Sequence, residues 1–164
     1  MRCAWANTDD ELMIAYHDYE YGTKRSGSSA YFEVVVLEFF QAGLSWRTIL
    51  HKRENFRRAF HQFDVEKIAA MDDTDVMRLL EDKSIIRNRR KIEAAIKNAK
   101  IALEIEKEQG FDAFIDSFKT PLALSKALKK KGFSFVGETI CSEIMMCLGL
   151  IPSHEETCFR YHES

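Results

Sequence analysis

Apolar residues recur along the chain at helical spacing, and segments that alternate apolar with polar side chains are hard to find. Thr8 followed by Glu11 reads as a capping box for a helix over about residues 9–21, ended by Gly22, and Thr23 to Ser29 reads as a polar loop. Tyr31 to Ala42 is strongly apolar. Its Val34-Val35-Val36 run alone would suit a strand, but the unbroken length through Phe40 predicts a buried helix stopped at Gly43. Ser45 caps a helix ending near Phe60, and Asp64 and Asp73 cap short helices over about 65–71 and 74–81. A basic turn at 84–90 leads into a long helix whose Ile92, Ala95, Ile96, Ala99 and Leu103 stripe stops before Gly110. A short helix is predicted from Phe111 to Phe118. Thr120-Pro121 opens another that runs to Gly132, and Glu138 to Leu148 forms the last, ended at Gly149. No linker, repeat or low-complexity stretch intervenes, so the expectation is one all-α domain over residues 1–164.

Composition narrows the class. With 164 residues, 46% of them hydrophobic and 30% charged, the chain can bury a full core, which excludes disordered and collagen-like proteins. Lys plus Arg number 24 against 26 Asp plus Glu, so a polyanion would have to be held by a local basic patch rather than by net charge. The first residues lack the apolar run of a signal peptide, and no stretch reaches the length of a membrane span. A soluble, cytoplasmic protein with no membrane partner is therefore expected. Its four Cys then read as thiols or metal ligands rather than a disulfide framework.

Three constellations could carry chemistry. His154 and Cys158 have a spacing that can place two ligands on one metal, and Cys3 with His17 could complete a tetrahedral zinc set joining the two ends of the sequence. Chance placement of one His-Cys pair in a polar tail explains the same spacing. Glu38 has Val34, Val35, Gln41 and Ala42 as its helical neighbours, which puts a carboxylate on an apolar face; there it needs either a core Arg or Tyr or a cationic ligand. The third is the basic turn holding Arg87, Arg89, Arg90 and Lys91, with Lys129 to Lys131 before a second turn ending at Gly137. Two such turns could present cations and backbone N–H groups to successive phosphates, and the same charges would also suit a solvated face. Cys141 and Cys147 read as core thiols, and His51, His61 and His162 as solvated.

In order along the chain stand R-C-A-W at 2–5, A-Y-H-D-x-E-x-G at 15–22, L-E-x-x-Q-A-G-L-S-W at 37–46, K-R-E-N-F-R-x-A-F at 52–60, I-I-R-N-R-x-K-I at 85–92 and A-L-S-K-A-L-K-K-K-G-F-S-F-V-G-E-T-I-C at 123–141. Together these blocks resemble the 3-methyladenine DNA glycosylase I family of the helix–hairpin–helix superfamily. The resemblance implies a compact helical fold with helix–hairpin–helix elements and a structural zinc ion on Cys3, His17, His154 and Cys158 that joins the termini. It implies a base pocket in which Glu38 and Tyr16 read the base edge and Trp46 stacks, bordered by Trp5 and Tyr21. It implies DNA contact through Arg87, Arg89, Arg90, Lys91, Lys130 and Gly137. The expected activity is hydrolysis of the N-glycosidic bond of 3-methyladenine in alkylated double-stranded DNA, without lyase chemistry, by a monomer that releases the free base.

The chain also departs from the family pattern. Tyr21 stands where Trp is usual, Phe39, Ser84 and Arg90 where Gly is usual, and Ser142 and Met146 where Tyr and Gln are usual; Pro152-Ser153 replaces Asn-Asp. The connection between Phe118 and Leu122 is shortened to Lys119-Thr120-Pro121. These changes leave open two further readings, a catalytically weak member that binds DNA or damaged bases and a zinc-clipped interaction domain. A cavity filled by Met146 or Phe39 would favour the first of these, and the absence of a cavity the second.

Overall fold

The computed structural model describes residues 1–163, and among them there are helices and turns but no strand. The helices are α1 (Glu11–Tyr19), α2 (Ser28–Gln41), α3 (Trp46–Ala59), α4 (Val65–Ala69), α5 (Asp73–Glu81), α6 (Arg89–Gln109), α7 (Phe111–Asp116), α8 (Pro121–Lys131) and α9 (Glu138–Cys147). Every residue of α2 from Tyr31 to Phe40 is buried, Glu33 and Glu38 among them, and α3, α6, α7 and α9 pack around it. The Val34-Val35-Val36 run is thus helical, with burial on every side overriding the β preference of its branched side chains. A run of aromatic contacts, Phe40 on Phe56 at 4.9 Å, then Phe60 and Phe63, ties α2 to the end of α3.

Ser45, Asp64 and Thr120 cap α3, α4 and α8 as the sequence predicts. Two predicted caps are displaced. The side chain of Asp10, not Thr8, accepts the N–H groups of Leu12 and Met13, while Thr8 Oγ1 accepts the N–H of Asp10; a carboxylate is the better acceptor at the positive end of the helix dipole. Asp72 rather than Asp73 caps α5, because Asp75 then lies at the third helical position and returns the bond in a capping box. α2 begins at Ser28, earlier than its apolar run, and α7 ends at Asp116, two residues short of Phe118.

Lys91 departs from its expected DNA-contacting role. Its side chain is buried, and Nζ donates to the carbonyls of Phe40 and Ala42, each at 2.9 Å, at the C-terminal end of α2. A cation there satisfies orphan carbonyls and the negative end of the helix dipole. It thereby fixes the turn that leads from Glu38 on α2 to Trp46 at the start of α3.

The ends of α1 and α9 are pinned by a glycine contact. Gly22 N–H donates to the Cys147 carbonyl at 3.2 Å, and both Gly22 and Gly149 have positive φ, 74° and 67°. A Cβ on Gly149 would lie 2.4 Å from the Gly22 carbonyl oxygen, a backbone atom that cannot swing away. Gly149→Ala is therefore expected to destabilise the protein by more than the ~1–2 kcal/mol of the left-handed conformation alone, measured as a fall in the urea midpoint; an unchanged midpoint would show that the two segments are not clamped.

Candidate active site

Glu38, near the end of α2, faces a cavity of about 560 Å³ that is also lined by Tyr16 of α1, Trp46 at the start of α3 and Cys147 at the end of α9. Trp5 and Tyr21 form a further wall, their rings 5.0 Å apart and nearly perpendicular. All five predicted base-pocket residues thus meet at one cavity. Met146 lines it without filling it, and Phe39 lies outside, stacked against Phe40 and Phe135.

The floor of the cavity is a hydrogen-bonded chain. The Cys147 thiol donates to Glu38 Oε1 at 3.1 Å, so the Tyr16 hydroxyl, 3.1 Å from the same sulfur, is the donor in its bond to Cys147. Burial raises the Glu38 carboxyl from its ordinary 4.5 to about 7; the Cys147 bond lowers it, nearby Glu143 raises it and Arg25 lowers it. Burial likewise pushes the Tyr16 and Cys147 groups well above their ordinary values, so both stay protonated donors. The partner of Glu38 is a thiol rather than the Arg or Tyr that a stably paired core acid would have.

The aromatic walls are held in place from outside. The Tyr16 and Trp46 rings lie 5.2 Å apart at 44°, and the Arg53 guanidinium sits 5.8 Å over the Tyr16 ring, itself fixed by two bonds to Glu20. Tyr21 donates its hydroxyl to the Ser153 carbonyl at 3.2 Å, which leaves it a positioned wall rather than a free donor. The buried Trp46 Nε1 has no hydrogen-bond partner among the described residues.

Behind the Trp5–Tyr21 wall, Cys3, His17, His154 and Cys158 converge from both ends of the chain, all buried, with ligand atoms within 4.8 Å of one another. Cys3 Sγ is 3.5 Å from His154 Nδ1, and Cys158 Sγ is 3.4 Å from His17 Nε2 and 3.6 Å from His154 Nδ1. Tetrahedral zinc with Zn–S of about 2.3 Å and Zn–N of about 2.0–2.1 Å sets sulfur–nitrogen edges of roughly 3.5 Å, so the donor set fits that ion. Each ring's other nitrogen is engaged, His17 Nδ1 with Asp18 at 2.8 Å and His154 Nε2 with the Tyr21 carbonyl at 3.1 Å, an arrangement that orients metal-binding imidazoles.

Of the predicted DNA-contacting residues, Arg87, Arg89, Arg90 and Lys130 are exposed, and Gly137 precedes the first turn of α9. The second turn packs on α6, since Asn98 exchanges two hydrogen bonds with the Ser134 backbone and the Arg90 guanidinium, in the first turn of that helix, lies 5.9 Å over the Phe135 ring. Lys131 instead faces Glu108 at 4.0 Å. His51 is exposed, as expected, and its Nε2 also reaches Asp10 at 2.7 Å.

The sequence reading missed the cavity residues Glu143 and Cys147. They lie four residues apart on one face of α9, a spacing visible in the sequence, but their proximity to Glu38 is set by packing across the molecule. A sequence model described as methyladenine glycosylase matches residues 5–123 and 119–161. The chain belongs to this family. Its two matched segments meet at the shortened connection before α8. The chain is 46% identical to DNA-3-methyladenine glycosylase 1 of Escherichia coli strain K12, over 98% of this chain and 96% of that protein. It superposes on a crystal structure of 3-methyladenine DNA glycosylase I with a TM-score of 0.91 at 44% identity, covering 97% and 98% of the two chains. The enzyme from Staphylococcus aureus, solved to explain its recognition of 3-methyladenine, superposes with a TM-score of 0.90 at 32% identity, covering 98% and 96%.

Proposed function

We propose that this protein is a monofunctional DNA glycosylase that removes 3-methyladenine from alkylated duplex DNA, the whole chain acting as one monomeric unit. The observation that carries the reading is Glu38, a buried carboxylate at an aromatic-walled cavity, held by a thiol and in direct contact with no cation among the described residues. A 3-methyladenine nucleotide carries delocalised positive charge, so its glycosidic bond is already weak. The protein has to extrude the base, stack it and accept its N–H hydrogens. Trp46 supplies the stacking face, Glu38 accepts from the base edge, and Tyr16, through Cys147, holds Glu38 in place. The cavity lining includes no Lys that could form a Schiff base, which favours hydrolysis over strand cleavage.

The turns at 82–88 and 132–137, with the helices that flank them, serve in this reading as helix–hairpin–helix elements. Arg87, Arg89, Arg90 and Lys130 meet phosphates, and Gly137 brings the first N–H groups of α9 to the backbone. Zinc, held by Cys3, His17, His154 and Cys158, is structural: four protein ligands leave no open position, and the ion supplies a fixed link between the termini.

Release of base from methylated duplex DNA, with the product strand remaining uncut until treated with alkali, is the direct test. Binding without release would leave only a binding module. The DNA face is tested separately. Reversing Arg89 and Arg90 to Glu should weaken duplex binding about tenfold or more, whatever the sequence, and flatten the slope of log K against log salt by about 2. Unchanged affinity and slope would assign these residues to a solvated face.

A further inference from the structure

Three carboxylates line the cavity, and two are engaged. Glu38 accepts the Cys147 thiol, and Glu155 accepts the Ala4 N–H through both oxygens at 3.0 Å. The cavity's Arg47 is committed to Asp10 at 2.7 Å. Glu143, half-buried, neither accepts a hydrogen bond nor pairs with a cation among the described residues. Its place along α9 is informative. The helix runs from Gly137, beside the phosphate-facing hairpin, to Cys147 on the cavity floor. Glu143 stands one turn, about 6 Å, closer to the hairpin than Cys147 does. With the hairpin on the DNA side, as proposed above, a base seated against Glu38 would direct its sugar toward the hairpin end of the cavity, the end on which Glu143 lies.

We propose that Glu143 is the general base of the reaction, accepting a proton from the water that attacks C1′ of the deoxyribose. This inference rests on the glycosylase reading and extends it. In the step, the C1′–N9 bond breaks and its electron pair stays with the departing base, which leaves neutral. The water oxygen forms the new bond to the oxocarbenium carbon, and the water's proton passes to the Glu143 carboxylate. Before that transfer the same carboxylate faces the positive charge growing at C1′. Glu38 cannot serve in this way while it holds the base edge. Burial raises the Glu143 carboxyl above its ordinary value, which makes it a stronger proton acceptor than a solvated Glu. Met146, three residues on, adds an apolar wall to the same cavity.

The experiment measures two quantities on wild type, Glu143→Gln and Glu143→Ala: the single-turnover rate of base release from methylated duplex DNA, and the equilibrium binding of free 3-methyladenine. Glu143→Gln should release base about 100-fold more slowly, at the low end of general-base effects because the leaving group is already good, while binding free base within twofold of wild type. Sodium formate should restore part of the rate of Glu143→Ala, because a small carboxylate can enter the space and take the proton. A wild-type rate in Glu143→Gln, or a matched loss of base binding and base release, would overturn the proposal. The second outcome would make Glu143 a charge that selects cationic bases. Wild-type protein that releases no base would instead overturn the glycosylase reading, and this inference with it.

Discussion

Glu38→Gln is expected to lower base release from methylated DNA by at least about 100-fold and to weaken free 3-methyladenine binding more than tenfold, with the helical fold retained. The carboxylate is buried, and its direct protein partner is the weak Cys147 donor, so an arriving base can satisfy it better than the protein does. Gln keeps the shape but turns one acceptor into an NH2 group aimed at a ligand that is itself a donor, leaving two donors unmatched in a low-dielectric site. The pH dependence follows from the same burial. An acid raised from its ordinary 4.5 to about 7 in the folded protein is protonated in both states below about pH 4.5. Above that the unfolded chain ionises first, so the stability present at low pH is lost as pH rises toward 7, by roughly 3 kcal/mol in total. Glu38→Gln should not show this loss, and should be more stable than wild type at pH 8 but not at pH 4.5. Base affinity of wild type should rise with pH up to about 7, as the acceptor ionises, and then level off. Urea unfolding at the two pH values and a fluorescence titration of the free base provide the measurements. Equal base affinity in Glu38→Gln and wild type would remove Glu38 from the recognition role.

Helix boundaries were legible where the signal is local. Ser45, Asp64, Thr120-Pro121 and Gly110 each act within one turn of themselves. Where two acceptors compete a residue or two apart, the choice depended on more distant partners. Asp10 displaces Thr8 as the α1 cap, and its carboxylate also holds Arg47 and His51 from α3. Lys91 carried a readable signal that charge counting obscured: it is one turn before Ala94 and Ala95 on the apolar face of α6, so helical phase directs it inward while Arg89 and Arg90 face solvent. Glu38 could be picked out because a carboxylate on an apolar face is conspicuous. Cys147 could not, since a buried thiol has the composition of a core residue and acquires its role only from contacts with Tyr16 and Glu38, 131 and 109 residues away in sequence.

Removing the proposed zinc is expected to lower the melting temperature by about 10 °C or more and to loosen the two ends of the chain together. Cys3 and His17 meet His154 and Cys158 across nearly the whole sequence, so the link closes a very long loop. Metal binding to such a set is coupled to folding, and for a domain of this size each kcal/mol corresponds to roughly 2–4 °C, so loss of only about 4 kcal/mol would give a shift of this order. Without the ion, two thiols and two imidazoles remain buried at 3.4–3.6 Å with poor mutual geometry. Arg160 would loosen with them, because its guanidinium spans the His17 and Tyr21 carbonyls from a position two residues beyond Cys158. The Trp5–Tyr21 wall stands directly on this cluster, whereas Glu38 and Cys147 are held by α2 and α9 in the core. Cys158→Ser should therefore increase hydrogen exchange in residues 1–22 and 150–163 while leaving the core of α2 and α6 protected. Base affinity should fall severalfold through the loosened wall, not vanish. Protein prepared without chelator should contain zinc at about one ion per chain. Absence of bound zinc in such protein, or an unchanged melting temperature after exhaustive chelation, would mean that the four side chains hold the termini together through their own packing.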